Sequence, residues 1–223
     1  MKNDITMKFK AAIFDLDGTL LNTIDDLADS MNSVLEKLGC GIHSTAAYKY
    51  FVGDGMDILA RRVLPADRRD DKNIKKCVEM MMEEYGLRWA DKTRPYAGIS
   101  GMLSDLSLLG VKLSVFSNKP DGFTKIIVKK FFPEIKFEQV LGASERFAKK
   151  PDPSGAIDIV QKLRLSPEEI LYAGDTATDM RTASGAGLYA VGVLWGFREK
   201  DELLKAGASV IIERPEELII FFR

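Results

Sequence analysis

The sequence predicts an α/β fold: a parallel sheet covered by helices on both faces, with an α-helical cap inserted after the first strand. Three observations predict it. Short apolar runs recur along the chain, and the first ends in acidic and glycine residues. Stretches with helical spacing and a start signal separate the later runs. The span from Asn22 to Lys92 holds amphipathic patterns and no convincing strand. Strands that alternate with helices imply a parallel sheet buried on both sides.

The first run, Lys10-Ala-Ala-Ile-Phe14, reads as a buried strand running into a loop. After it, Ile24, Leu27, Ala28, Met31, Val34, Leu35 and Leu38 recur at helical spacing. Residues 22–92 are therefore assigned to an α-helical cap domain, and residues 1–21 with 93–223 to the α/β core domain. An insertion at this point sits above the carboxyl ends of the strands, where open α/β sheets bind ligands. Within it, the charge cluster Asp67-Arg-Arg-Asp-Asp-Lys72 suits a solvated loop or helix start. Further strands are expected at Val111–Phe116, Ile170–Ala173, Tyr189–Leu194 and Val210–Ile212. Between them, Asp121 ahead of Phe123–Phe131, Pro153 ahead of Ser154–Leu163, and Ser166-Pro167-Glu168-Glu169 each read as a helix start.

Composition narrows the function. The 32 basic and 33 acidic side chains nearly cancel, so there is no electrostatic footprint for nucleic acid or an anionic membrane. Cys40 and Cys77 lack metal-ligand spacing, and a single histidine, His43, cannot complete a multi-histidine site; it reads as a polar surface residue. No apolar run has transmembrane length, and Met1 to Lys10 alternates without the hydrophobic centre of a signal peptide. A cytoplasmic protein, monomeric or weakly homodimeric, is expected.

Four short segments carry chemistry. Asp15-Leu-Asp17-Gly18-Thr19-Leu20 follows the first strand directly, so its carboxylates emerge at the sheet's carboxyl edge. An ionised carboxylate can attack a phosphoryl group, and a second one two residues on can serve as acid and base. Gly18 permits the tight turn, and the Thr19 hydroxyl can orient Asp17. Ser117-Asn118-Lys119 ends another strand, where a hydroxyl and backbone N–H groups suit a phosphoryl oxygen. In Lys150-Pro151-Asp152-Pro153 a lysine can cancel the repulsion between carboxylate and phosphoryl group, with Lys149 as the alternative. In Gly174-Asp175-Thr-Ala-Thr-Asp179 two carboxylates share one face of an opening helix, as hard oxygen ligands for magnesium or as capping groups.

In this order the four segments resemble the motifs of the haloacid dehalogenase superfamily, whose members pair a Rossmann-like three-layer core with a cap. The resemblance implies that Asp15 is nucleophile and metal ligand, and Asp17 is acid/base with its backbone carbonyl on the metal. It implies that Ser117, Asn118, Thr19 and Lys150 form the phosphate site, Lys150 being catalytic, and that Asp175 binds Mg2+ with Asp179 in support. Phe51-Val-Gly53-Asp54-Gly55-Met-Asp-Ile-Leu59 resembles the cap segment of phosphoglycolate phosphatases, as does Trp195-Gly-Phe-Arg198. Gly53, Asp54 and Gly55 become substrate-facing candidates, although members often carry asparagine where Asp54 puts a negative charge. The activity implied is hydrolysis of a small phosphorylated metabolite such as 2-phosphoglycolate. A β-phosphoglucomutase-type reaction, a pyrophosphatase, a nucleotidase and a receiver-like phosphoacceptor switch are the rival readings; the length of the chain and the presence of Asp17 weigh against the switch.

Gly185-Ala-Gly187-Leu-Tyr-Ala190 matches a dinucleotide fingerprint by letters only. It ends a helix and enters a strand, the reverse of what that fingerprint needs.

Overall fold

The computed structural model describes residues 9–223; apart from Phe9 and Lys10, the Met1–Lys10 segment lies outside them. Six parallel strands form one sheet in the order β5-β4-β1-β6-β7-β8. They are β1 (Ala11–Phe14), β4 (Lys112–Pro120), β5 (Phe137–Ala143), β6 (Ile170–Gly174), β7 (Tyr189–Val193) and β8 (Val210–Ile212). The central strand β1 pairs with β4 on one side and β6 on the other, Phe14 standing opposite both Val115 and Ala173. Every residue of β1 is buried.

Alternation along β1 builds the layers. Ala12 and Phe14 point into one core with Leu103, Ile127 and Phe222, whereas Ala11 and Ile13 point into another with Ile159, Met180 and Leu203. The helices α5 (Ile99–Leu108) and α6 (Asp121–Phe131) thus cover the first face. The second is covered by α7 (Ser154–Leu163), α8 (Ala177–Gly185) and α9 (Lys200–Lys205). α7 begins where the Pro153 signal placed it.

Three expectations need correction. The Ser166 signal opens only a single 3-10 turn, Pro167–Glu169, because β6 starts at once and pulls the chain extended. Its capping box is nonetheless complete. The strand expected to end at Phe116 continues to Pro120, and the strand β5 pairing with it was not expected. β5 is a half-buried edge strand in which only Gly142 is buried, so it lacks the apolar run that betrays a central strand. His43 is half-buried rather than a surface residue: its ring packs on Tyr48 and Phe51, and Nε2 is 2.8 Å from the Val63 carbonyl.

Between β1 and β4 the chain builds the helices α1 (Ile24–Lys37), α2 (Thr45–Phe51), α3 (Met56–Val63) and α4 (Asp71–Arg88). They are flanked by a two-residue antiparallel ladder, β2 (Leu21–Asn22) against β3 (Arg94–Pro95). Asn22, assigned to the cap by sequence, is thus paired at its root. Asp26 fastens this root. Its buried carboxylate accepts from both Lys92 N–H and Thr93 N–H, the latter at 2.8 Å, and from the Thr93 hydroxyl at 2.7 Å. The charge cluster becomes a 3-10 turn and the start of α4, whose first turn Asp70 caps through Asn73 N–H. No helix among the described residues is long and apolar enough to cross a membrane.

Candidate active site

The carboxyl ends of β1, β4 and β6 converge, and the chemistry-bearing segments leave the sheet there. Asp15 directly follows β1, anchored by its N–H on the Ala173 carbonyl at 3.0 Å. Gly18 turns the chain back with φ +88°; a Cβ there would stand 2.3 Å from Asp175 Oδ2. The position demands glycine twice, for its left-handed backbone and for the carboxylate beneath it.

Asp15, Asp175 and Asp179 bring oxygens within 4.8 Å of one another, and all three are buried. Lys150 lies among them, its Nζ 2.9 Å from Asp15 Oδ1 and 2.7 Å from Asp179 Oδ1. The choice that sequence left between two lysines is resolved by geometry, because Lys149 turns instead to Asp57 of α3. Tyr172 braces the group, donating to Asp179 Oδ1 at 3.3 Å while Lys150 donates to its hydroxyl at 3.1 Å.

The carboxylates differ in how they are committed. Asp179 spends Oδ1 on Lys150 and Tyr172 and Oδ2 on the Thr176 N–H and hydroxyl, closing the capping box of α8. That leaves it a supporting group. The hydrogen bonds and ion pair of Asp15 fall on Oδ1, from Leu16 N–H at 2.7 Å and from Lys150. Among the described residues none donates to Oδ2, which leaves it the open oxygen. Asp175 accepts from Thr19 Oγ1 at 3.1 Å and from Phe197 N–H at 2.8 Å. Thr19 therefore orients Asp175 and not Asp17, since the tight turn at Gly18 directs its buried hydroxyl inward.

Three carboxylates against one ammonium leave excess negative charge in a dry site. Burial, then Asp179, push Asp15 up to about 7 against the pull of Lys150. Burial, then Asp179 and Asp15, hold Asp175 well above the carboxylate range. Lys150 stays firmly charged: burial opposes it, and Asp15 and Asp179 outweigh burial. Such a donor set, all hard oxygen and short of positive charge, fits a magnesium ion. Asp15 and Asp175 are the carboxylates that could hold one.

Asp17 stands apart from this cluster. Both its oxygens lie 3.0 Å from Lys119 Nζ, and Lys119 sits 4.4 Å over the ring of Tyr85, a residue of α4. Lys119 belongs to the Ser-Asn-Lys segment, yet sequence reasoning gave it no part. The signal was available: residues two apart in a strand share a face, so if Ser117 points to the site, Lys119 does too. Ser117 is buried and accepts from the Lys119 N–H at 3.3 Å. Asn118 brackets the neighbouring loops, accepting from Lys150 N–H and donating to the carbonyls of Lys150 and Gly53.

A cavity of about 40 Å³ opens over Asp15, walled by Asp17, Ser117, Asn118 and Lys119 from the sheet side and by Leu27, Val52, Gly53, Gly55, Met56 and Leu59 from the helical insert. Gly53 and Gly55, at φ +115° and +95°, bring the insert's backbone to this wall. Asp54 between them faces away. Its carboxylate pairs with Arg62 and accepts from the Thr178 hydroxyl, both at 2.6 Å. Burial opposes the charged form, yet Thr178 and Arg62 hold Asp54 below the usual carboxylate range. Its charge is spent as a latch between α3 and α8, not presented to a ligand. The Trp195-Gly-Phe-Arg198 segment closes the far side: Trp195 Nε1 donates to the Thr19 carbonyl, Phe197 N–H to Asp175, and Arg198 to the Val52 carbonyl.

Residues 12–193 match the family model described as haloacid dehalogenase-like hydrolase. A phosphoglycolate phosphatase of Pseudomonas putida is 28% identical over 214 residues, spanning 94% of this chain and 78% of that one. One from Psychrobacter arcticus is 28% identical over 191 residues, 83% of each chain. Among solved structures, a Lactobacillus delbrueckii subsp. bulgaricus protein provisionally named as a phosphoglycolate phosphatase superposes with a TM-score of 0.89 at 30% identity, covering 95% of this chain and 97% of its own.

Proposed function

The chain belongs to the haloacid dehalogenase-like hydrolases, and from that premise we propose that it is a magnesium-dependent phosphomonoesterase working through an aspartyl-phosphate on Asp15. The observation that carries the reading is the placement of Asp15: one oxygen held by Lys150, the other open, with Asp17 on the wall of the same cavity. Asp15 Oδ2 attacks phosphorus, and the bond from phosphorus to the ester oxygen breaks. Asp17, having taken a proton from solvent on leaving Lys119, gives that proton to the departing alkoxide. In the second half Asp17, now a carboxylate, takes a proton from water as that water attacks phosphorus, the Asp15–phosphorus bond breaks, and inorganic phosphate leaves. Lys150 keeps nucleophile and phosphoryl group together, and the Ser117 hydroxyl donates to a phosphoryl oxygen. Magnesium, held by Asp15, Asp175 and the Asp17 carbonyl, supplies the positive charge that offsets the crowded anions.

The names of the relatives favour 2-phosphoglycolate. The test is release of phosphate from a panel of 2-phosphoglycolate, pyrophosphate, nucleotides and hexose phosphates, with magnesium and with a chelator. Turnover of a small monoester that stops with the chelator and falls at least about 1,000-fold in Asp15→Asn is expected. Chelator-insensitive turnover, or full activity in Asp15→Asn, refutes the reading.

A further inference from the structure

We propose that Lys119 selects the substrate: it binds a second anionic group carried by the leaving alcohol, and in taking that anion it releases Asp17, which takes up a proton from solvent and hands it to the ester oxygen. The inference rests on the phosphomonoesterase reading with its phosphorylated hydroxy acid, and adds the residue that reads the acid group and the step at which it does so.

The cavity wall supplies the first argument. Apart from Asp15 and Asp17, its polar members are Ser117 and Asn118, and the insert contributes Leu27, Val52, Met56 and Leu59 with two glycines. Among the described residues that line it, Lys119 is the only cation. Lys150 is not on this wall, Arg62 is engaged with Asp54, and Arg198, which donates to the Val52 carbonyl through Nη2 and keeps a buried Nη1 unpartnered, does not line it either. With Lys150 committed to Asp15 and the phosphoryl group, a second anion on the substrate has one ammonium on this wall to meet.

The ion pair supplies the second. Lys119 is buried, and both Asp17 oxygens lie at 3.0 Å from its Nζ. A carboxylate held through both oxygens cannot at the same time address an ester oxygen. If Asp17 turned away with nothing in its place, a buried ammonium would lose its counter-ion, which costs far more than breaking a surface pair. A neutral alcohol offers no replacement. A carboxylate on the leaving group does, and the stiff seat of Lys119 on the Tyr85 ring lets the ammonium exchange one anion for the other without moving. Discrimination therefore falls on the step that needs Asp17, where binding energy raises turnover and not merely occupancy.

The experiment compares 2-phosphoglycolate with its near-isosteric, uncharged amide under magnesium. The wild-type protein is expected to prefer the carboxylate by about 100-fold or more in kcat/KM, mostly in kcat, as sites built around a buried polar group do. In Lys119→Met the preference collapses to within about fivefold of unity, and Lys119→Arg restores a substantial part of it. Equal turnover of acid and amide by the wild type overturns the proposal without any variant, while leaving the phosphomonoesterase reading intact. A Lys119→Met protein that loses activity on both esters alike, with its preference preserved, overturns it as well. Failure to hydrolyse any ester would instead sink the reaction class.

Discussion

The crowding of Asp15, Asp175 and Asp179 makes the stability of the metal-free protein fall as pH rises, the opposite of what paired carboxylates usually do. Asp15 is pushed from 3.8 to about 7 by burial and then by Asp179. Between those values the native state keeps a proton that the unfolded chain has lost, so unfolding free energy drops with pH. The stabilisation is complete below the unfolded value and gone above about 7. A shift of about 3 units at 1.36 kcal/mol each amounts to roughly 4 kcal/mol, and Asp175 acts in the same direction. The carboxylates held low, Asp54, Asp57, Asp70, Glu84, Asp152 and Glu169, titrate below this window and add no slope within it. From pH 5 to about 7 roughly 2 units of the Asp15 shift, about 3 kcal/mol, are lost, which for a chain of 223 residues predicts a fall in Tm of roughly 5–11 °C between pH 5 and pH 8 in chelator. Millimolar magnesium replaces the proton, so it should raise Tm strongly at pH 8 and little at pH 5. The assay is calorimetry or thermal shift across that range, with Asp15→Asn as the flattened control. A metal-free Tm that is level or rises with pH, or an unchanged slope in Asp15→Asn, refutes the reasoning.

Other perturbations test separate parts of the molecule. Asp26→Ala leaves the buried N–H of Thr93 without its acceptor and should cost about 3–5 kcal/mol in urea unfolding; a loss under about 1 kcal/mol would show that the root of the insert is held otherwise. Thr19→Val removes the hydroxyl on Asp175 and should weaken magnesium activation by about 10- to 100-fold, read as the metal concentration for half-maximal turnover; an unchanged value would return Thr19 to a role beside Asp17. Gly18→Ala drives a Cβ against Asp175 and should lower activity by at least about 100-fold, while magnesium protection against heat is lost; normal magnesium protection would count against the close approach.

How far the sequence reached can be judged from particular residues. Asp15 and Asp175 were legible because each follows an apolar run, and a buried strand has only one place to deliver the residue after it. Asp179 was legible from helical spacing, although its supporting rank depended on Thr176, Lys150 and Tyr172 taking its oxygens. β5 was not legible, since an edge strand needs apolar residues on only part of its surface. Lys149 and Lys150 are neighbours with identical side chains, and only their partners in the folded chain separate them, Asp57 for one and Asp15 with Asp179 for the other. The same limit explains Asp54. A negative charge between two glycines of a substrate-facing segment reads as a barrier to an acidic ligand. The sequence does not reveal that Arg62 lies one helical face away and that Thr178 comes from the far end of the chain.

The division between what was legible and what was not follows a physical line. Groups that perform bond making and breaking are placed by local backbone, one strand end at a time, and so leave a signature in sequence order. Groups that set selectivity are placed by contacts between the insert and the core, where Lys119 meets Asp17 from one side and Tyr85 from the other. A lysine's meaning there depends on which anion shares its pocket, and that is a property of the assembled cavity. Chemistry can therefore stay constant on this core while substitutions along α1, α3 and α4 reshape the wall around Lys119 and change which phosphate ester reaches Asp15.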